Sequence, residues 1–272
     1  MEFFTSLHNI LIIKKPSDKC QSFKDFYKSY LSKDIDFDHT QKSTPLKEPS
    51  YLGHCKLVSP SLVLKRKKLS GDRGKSIFLH AIAHIEYCAI DMAIDSAYRF
   101  KNMPRAYYDD WLSVAHDEVR HFEMLETLLV KVDSFYGDLP VHNALFEALE
   151  RTQTLHERMA VVPRYLEANG LDVTPVMISK FKNYEDDEKA SEIIKVLEVI
   201  LEEECDHVYK GDVWFKYACD EKGLSYDSYF DVIEQYYPGS FPRKKDLNIQ
   251  ARQAAGFSCS ELKRMNSDIE CD

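Results

Sequence analysis

Glycine and proline are scarce, 9 and 10 residues in a chain of 272. With long Glu/Lys/Leu/Ile-rich runs between them, that scarcity points to helix. No C-x-x-C pair occurs, and the cysteine count is odd, at seven. Both features argue against a disulfide framework and for reduced thiols in a cytoplasm. Long hydrophobic runs are missing as well. The apolar stretch at residues 9–13 is too short to span a membrane and lacks the basic flank and small-residue cleavage site of a signal peptide. A cytoplasmic protein with no membrane partner is expected. Positive charge is also in deficit: the net charge of −9 argues against a generic nucleic-acid coat, leaving only the basic run at residues 65–68 and Lys56 as a local patch. For that run a solvated loop is the plainer reading.

What is present is helical periodicity. Residues 1–75 read as an extension, with a short strand at 7–13, an amphipathic helix around Ser22–Leu31 and a polar stretch through Pro49. Four long helices follow. The first runs from Ser76 to about Lys101 and turns at Met103-Pro104; the second runs from Arg105 to Val132. The third, from Val141 to Asn169, should kink at Pro163, break between Gly170 and Pro175, and resume over Val176–Asn183. The fourth starts with the acidic run 185–188, where the helix dipole favours negative charge, and continues to roughly Glu221, with Gly223 past its end. The expected fold is all-α: an antiparallel four-helix bundle over 76–222, with residues 1–75 packing on it and 223–272 as a C-terminal helical tail.

Two of these helices carry the same pattern. In WLSVAHDEVRHFEML, Glu118 and His121 stand three residues apart in an apolar stripe of Trp111, Val114, Ala115, Phe122 and Leu125. In LEVILEEECDHVYKG, Glu204 and His207 repeat the arrangement among Leu197, Ile200, Leu201 and Val208. Roughly one Glu-x-x-His is expected by chance in such a composition, so the placement matters more than the spacing. A carboxylate-bridged di-metal bundle needs a Glu-x-x-His from each of two helices and one Glu from each of the other two. Glu86, central in the first helix, lies level with Glu118 across the turn. On the third helix Glu157 and Glu167 compete. Glu157 shares a stripe with Glu150, Gln153, Thr154 and Arg164 that reads as solvated, and distance to the next turn favours Glu167. Arg120 and Arg164 offer the competing explanation, structural ion pairs without metal. His80, His84, His116 and His156 fall on other faces and read as surface or packing residues. Asp117 and Glu203 precede the paired glutamates and suit the outer nitrogen of a ligand histidine. Mixed Glu/His ligands without thiolate favour two iron ions, with manganese or a mixed Fe/Mn pair as alternatives. Such a pair suits dioxygen activation with an electron donor, or Fe(II) oxidation.

These stretches, with LHAIAHIEYCAIDMAID, RMAVVPRYLEANGLDVTP and ARQAAGFS, resemble the ferritin-like superfamily, and more closely its branch termed domain of unknown function 455. The resemblance spans about residues 52–265 and departs at Asn169, where Arg is usual. It implies Glu86, Glu118, His121, Glu167, Glu204 and His207 as metal ligands, and it favours Glu167 over Glu157 independently of spacing. More distantly the branch is similar to bacterial diiron tRNA hydroxylases. An oxygenase acting on a small molecule or an RNA, a non-catalytic iron-handling protein and a homodimeric assembly are all admitted at this level.

Overall fold

The computed structural model describes the whole chain except residues 33–34, 67–68, 185, 243–246 and 271–272. Part of the basic run and the first residue of the acidic run therefore lie outside the described residues. The fold is all-α and of the helical-bundle class, with no strand among the described residues. It divides into two compact units, Met1–Glu150 and Arg151–Asp272.

The first unit is built on the hairpin of α3 (Asp72–Arg99) and α4 (Arg105–Lys131). Asn102, in the left-handed region at φ 59°, and Pro104 make the turn. Trp111, Leu112, Val114, Ala115, Val119, Phe122 and Leu125 are at most 1% exposed on α4. Burial of each large side chain among them contributes about 1.5–3 kcal/mol. Helix α3 is long and apolar enough to cross a membrane by length and composition, but 78% of its apolar window is buried within the protein, as in a core helix.

Residues 7–13 are not a strand. They belong to α1 (Phe3–Leu11) and its C-terminal turn, with Phe3, Phe4, Leu7, Ile10 and Leu11 buried at helical spacing. The Glu2 carboxylate caps this helix, accepting from the amides of Phe4 and Thr5. Helix α2 (Pro16–Leu31) then delivers Lys19, fully buried, to Asp91 of α3, which Ser50 also engages. Asp91 and Asp95 are thus buried and paired, the latter with Arg99 at 2.9 Å. Helix α5 (Ala144–Arg151) ends at the boundary between the units.

In the second unit the expected third helix is several pieces. Helix α6 (Leu155–Val161) leads into a π-turn, Val162–Glu167, and then α7 (Ala168–Lys182). Pro163 causes the interruption, as its ring cannot sit in an α-helical ladder. The expected break between Gly170 and Pro175 does not occur. Pro175 removes the amide that would bond to the Leu171 carbonyl, and Asn248 Nδ2 donates to that carbonyl instead at 3.2 Å. Helix α8 (Glu188–Lys222), capped by the Asp187 side chain and closed by left-handed Gly223, packs along α6, the π-turn and α7. Gly211 makes the closest approach: a Cβ there would fall 2.3 Å from Pro163 Cβ.

The tail closes on this hairpin through α9 (Ser228–Tyr236), α10 (Ile249–Ala254) and α11 (Cys259–Met265). Arg164 is fully buried, ion-paired with Asp212 at 3.0 Å and hydrogen-bonded to Glu261 at 2.6 Å, under the rings of Phe215, Tyr229 and Phe257. The stripe shared with Glu157 is therefore not solvated at Arg164. Among the described residues Cys20, Cys55, Cys88, Cys205 and Cys219 are free thiols, and Cys259 is disulfide-bonded.

Candidate metal centre

In the first unit, α3 and α4 bring Glu86, Glu118 and His121 together. They are 5%, 0% and 0% exposed, and one ligand-capable atom from each lies within 4.8 Å of the others. His121 Nδ1 is 3.2 Å from Glu86 Oε2 and 3.5 Å from Glu118 Oε2. Helical geometry explains the second contact, since side chains three apart leave the same face. The first depends on the α3–α4 turn placing residue 86 opposite residue 121.

Burial alone would depress the imidazole. Hydrogen bonds to Glu118 and Glu86, with their charges, more than reverse this and raise its pKa to about 11. Two carboxylates against one imidazolium still leave net negative charge in an apolar interior, a costly state without a further cation. The buried Glu/His cluster can hold a metal ion, and its two oxygens and one nitrogen suit that role.

In the second unit, α8 carries Glu204 and His207, 9% and 0% exposed, with Nδ1 3.6 Å from Glu204 Oε1. The local geometry matches that of Glu118 and His121. Glu167, half-buried, is the last residue of the π-turn. Its competitor Glu157 has another task. It completes a capping box with Thr154, accepting from the Thr154 amide at 3.0 Å and hydroxyl at 2.8 Å.

The alternative ion-pair partners are engaged elsewhere as well: Arg164 with Asp212 and Glu261, Arg120 with Asp117 at 3.1 Å. His80, His84 and His156 are packing residues. His80 Nε2 accepts from the amides of Gly137 and Leu139, His84 bonds the Tyr136 hydroxyl and the His142 carbonyl, and His156 bonds Ser228. His116 is half-buried beside Asp117. The π-turn was legible only as a kink at Pro163; the lengthened backbone ladder that ends on Glu167 has no sequence signature of its own.

An uncharacterized protein of Haemophilus influenzae is 33% identical over 273 residues, covering 96% of this chain and 92% of the relative. No solved structure matches. The family described as "Protein of unknown function (DUF455)" matches residues 12–263. The chain is a member of the DUF455 family.

Proposed function

We propose that this chain is a di-metal carboxylate protein of ferritin-like type, with Glu86, Glu118 and His121 from the first hairpin and Glu167, Glu204 and His207 from the second as ligands. The observation that carries the proposal is the repeat: two buried Glu-x-x-His pairs with closely similar internal geometry, 3.5 and 3.6 Å, on α4 and α8. Each pair belongs to a hairpin whose other arm offers a glutamate. Glu167 is preferred to Glu157 because π-turns cluster at functional sites, while Glu157 is spent on a cap.

Iron is the favoured metal and manganese the next, on the donor set. When bound, the pair would supply dioxygen activation, and the reaction class we favour is oxidation or hydroxylation of an organic substrate in the cytoplasm. The chain's own residues hold the ligands and exclude water through Trp111, Val114 and Phe122, at most 1% exposed beside them. His121 must also surrender its proton before Nδ1 can bind metal.

Anaerobic titration with Fe(II), followed by air and elemental analysis, tests this. The expected result is saturation at two irons per chain and oxygen consumption that needs an external reductant. Retention of tens of irons per chain would establish iron storage instead, and one zinc or no metal would end the di-metal reading.

A further inference from the structure

A cavity of about 370 Å³ lies in the first unit between the segment after Pro60, α3 and the loop leading to α5. Its α3 wall is Ile77, His80, Ala81, His84 and Ile85. That stripe leaves out Glu86, since successive helical side chains diverge by about 100°. The cavity is therefore distinct from the Glu86–Glu118–His121 cluster, and its volume sits at the small end of the roughly 300–1,000 Å³ typical of ligand sites.

The walls are largely apolar, with Lys65, Arg66 and His142 also lining the space and no carboxylate among the lining residues. The other two histidines are already occupied, His80 by the two loop amides and His84 by Tyr136 and the His142 carbonyl. His142 Nδ1 accepts from the Ala144 amide at 3.3 Å, so the neutral ring carries its hydrogen on Nε2, which can donate to a ligand.

Arg66 has no carboxylate partner among the described residues. Burial, and then the Arg66 charge, lowers the pKa of His142. A solvent-exposed guanidinium that lines an apolar cleft and has no carboxylate partner among the described residues is a recognition element for an oxyanion.

We propose that this cavity binds a small amphipathic oxyanion, with a carboxylate or phosphate-monoester head on Arg66 and His142 and a hydrocarbon body against Val63, Ile85 and Leu145. The site is independent of the metal reading and is tested separately.

Isothermal titration of the full-length protein with octanoate and with hexyl phosphate is the experiment. At least one should bind with Kd below about 1 mM. 1-Octanol and inorganic phosphate, each supplying half of the match, should bind at least about tenfold more weakly. Arg66→Gln should weaken the amphiphile by about tenfold or more, as loss of a charged hydrogen bond implies. Its melting temperature should be unchanged, because Arg66 is exposed and has no carboxylate partner among the described residues. Ile85→Glu, at a position already 41% exposed, should abolish binding without unfolding the chain. The proposal is overturned if 1-octanol binds as well as octanoate, if Arg66→Gln binds like the native chain, or if neither amphiphile binds. Binding to phosphatidylglycerol vesicles with no response to the soluble amphiphiles would also overturn it, locating the chemistry at a lipid surface.

Discussion

His121 Nδ1 lies 3.2 Å from Glu86 Oε2, a carboxylate 35 residues earlier in the chain and on the facing helix. Together with Glu118, which contributes more, this contact outweighs burial and keeps the imidazole a cation wherever no metal competes for Nδ1. Its folded pKa is raised to about 11 from the ordinary histidine value of 6.5. The stabilisation it brings is therefore fully present below pH 6.5 and is lost as pH rises through about 11. Adding Mn(II) or Fe(II) to weakly buffered apo protein at pH 7 should release protons. Glu86→Gln should reduce that release and flatten the alkaline loss of apo stability. Metal uptake without proton release would show that Nδ1 is not a ligand atom.

Glu157 and Glu167 separate structure from chemistry. Glu157→Ala removes half of a capping box and should cost about 1 kcal/mol in urea unfolding while leaving metal content intact. Glu167→Ala should do the reverse, with metal content falling and apo stability little changed. The opposite assignment in elemental analysis would return the ligand role to Glu157.

Acid should loosen the first unit through His80 and His84, each pushed down to about 4 chiefly by burial. Between pH 6.5 and 4 the unfolded chain binds more protons than the folded one. Stability is therefore full above 6.5 and falls with pH across that window, by up to about 3 kcal/mol per residue. His80→Gln should be less stable at pH 7, having lost an acceptor for two amides, yet show a shallower decline between pH 6.5 and 4. An unchanged slope in denaturant melts would remove His80 from the account.

Gly211→Ala should force α8 away from Pro163, since the added methyl would sit 2.3 Å from Pro163 Cβ. The expected loss is about 1–3 kcal/mol. Because the π-turn carries Glu167, metal affinity should fall with it, which a purely global destabilisation would not produce at low temperature. Native metal content in the folded variant would show that the π-turn does not set the ligand.

Asn248→Ala should strand the Leu171 carbonyl beneath Pro175 and cost about 1–2 kcal/mol. Hydrogen exchange should accelerate around residues 168–176 while α8 stays protected. Uniform exchange across the second unit would mean that Asn248 is not what carries α7 past its proline.

The sequence by itself determined the elements whose cause is local. The α3–α4 hairpin, α8 and both Glu-x-x-His pairs follow from apolar spacing near 3.6 and from the residues that stop each helix, so Glu86, Glu118, His121, Glu204 and His207 could be nominated before any contact was known. Residues 7–13 defeated the same method because a short apolar run has no decisive period; packing of Phe3, Phe4 and Leu7 made it helix. Tertiary structure alone decided what long-range partners decide. Asn248, 77 residues away, keeps α7 continuous through Pro175. Arg164 is buried because Asp212, Glu261 and three aromatic rings from distant segments enclose it. The approach of Gly211 to Pro163 accommodates the π-turn that ends on Glu167. Periodicity records which face of a helix is dry. It carries no record of which distant group meets that face, because the hydrogen bond or ion pair that settles the matter forms only once the chain has folded.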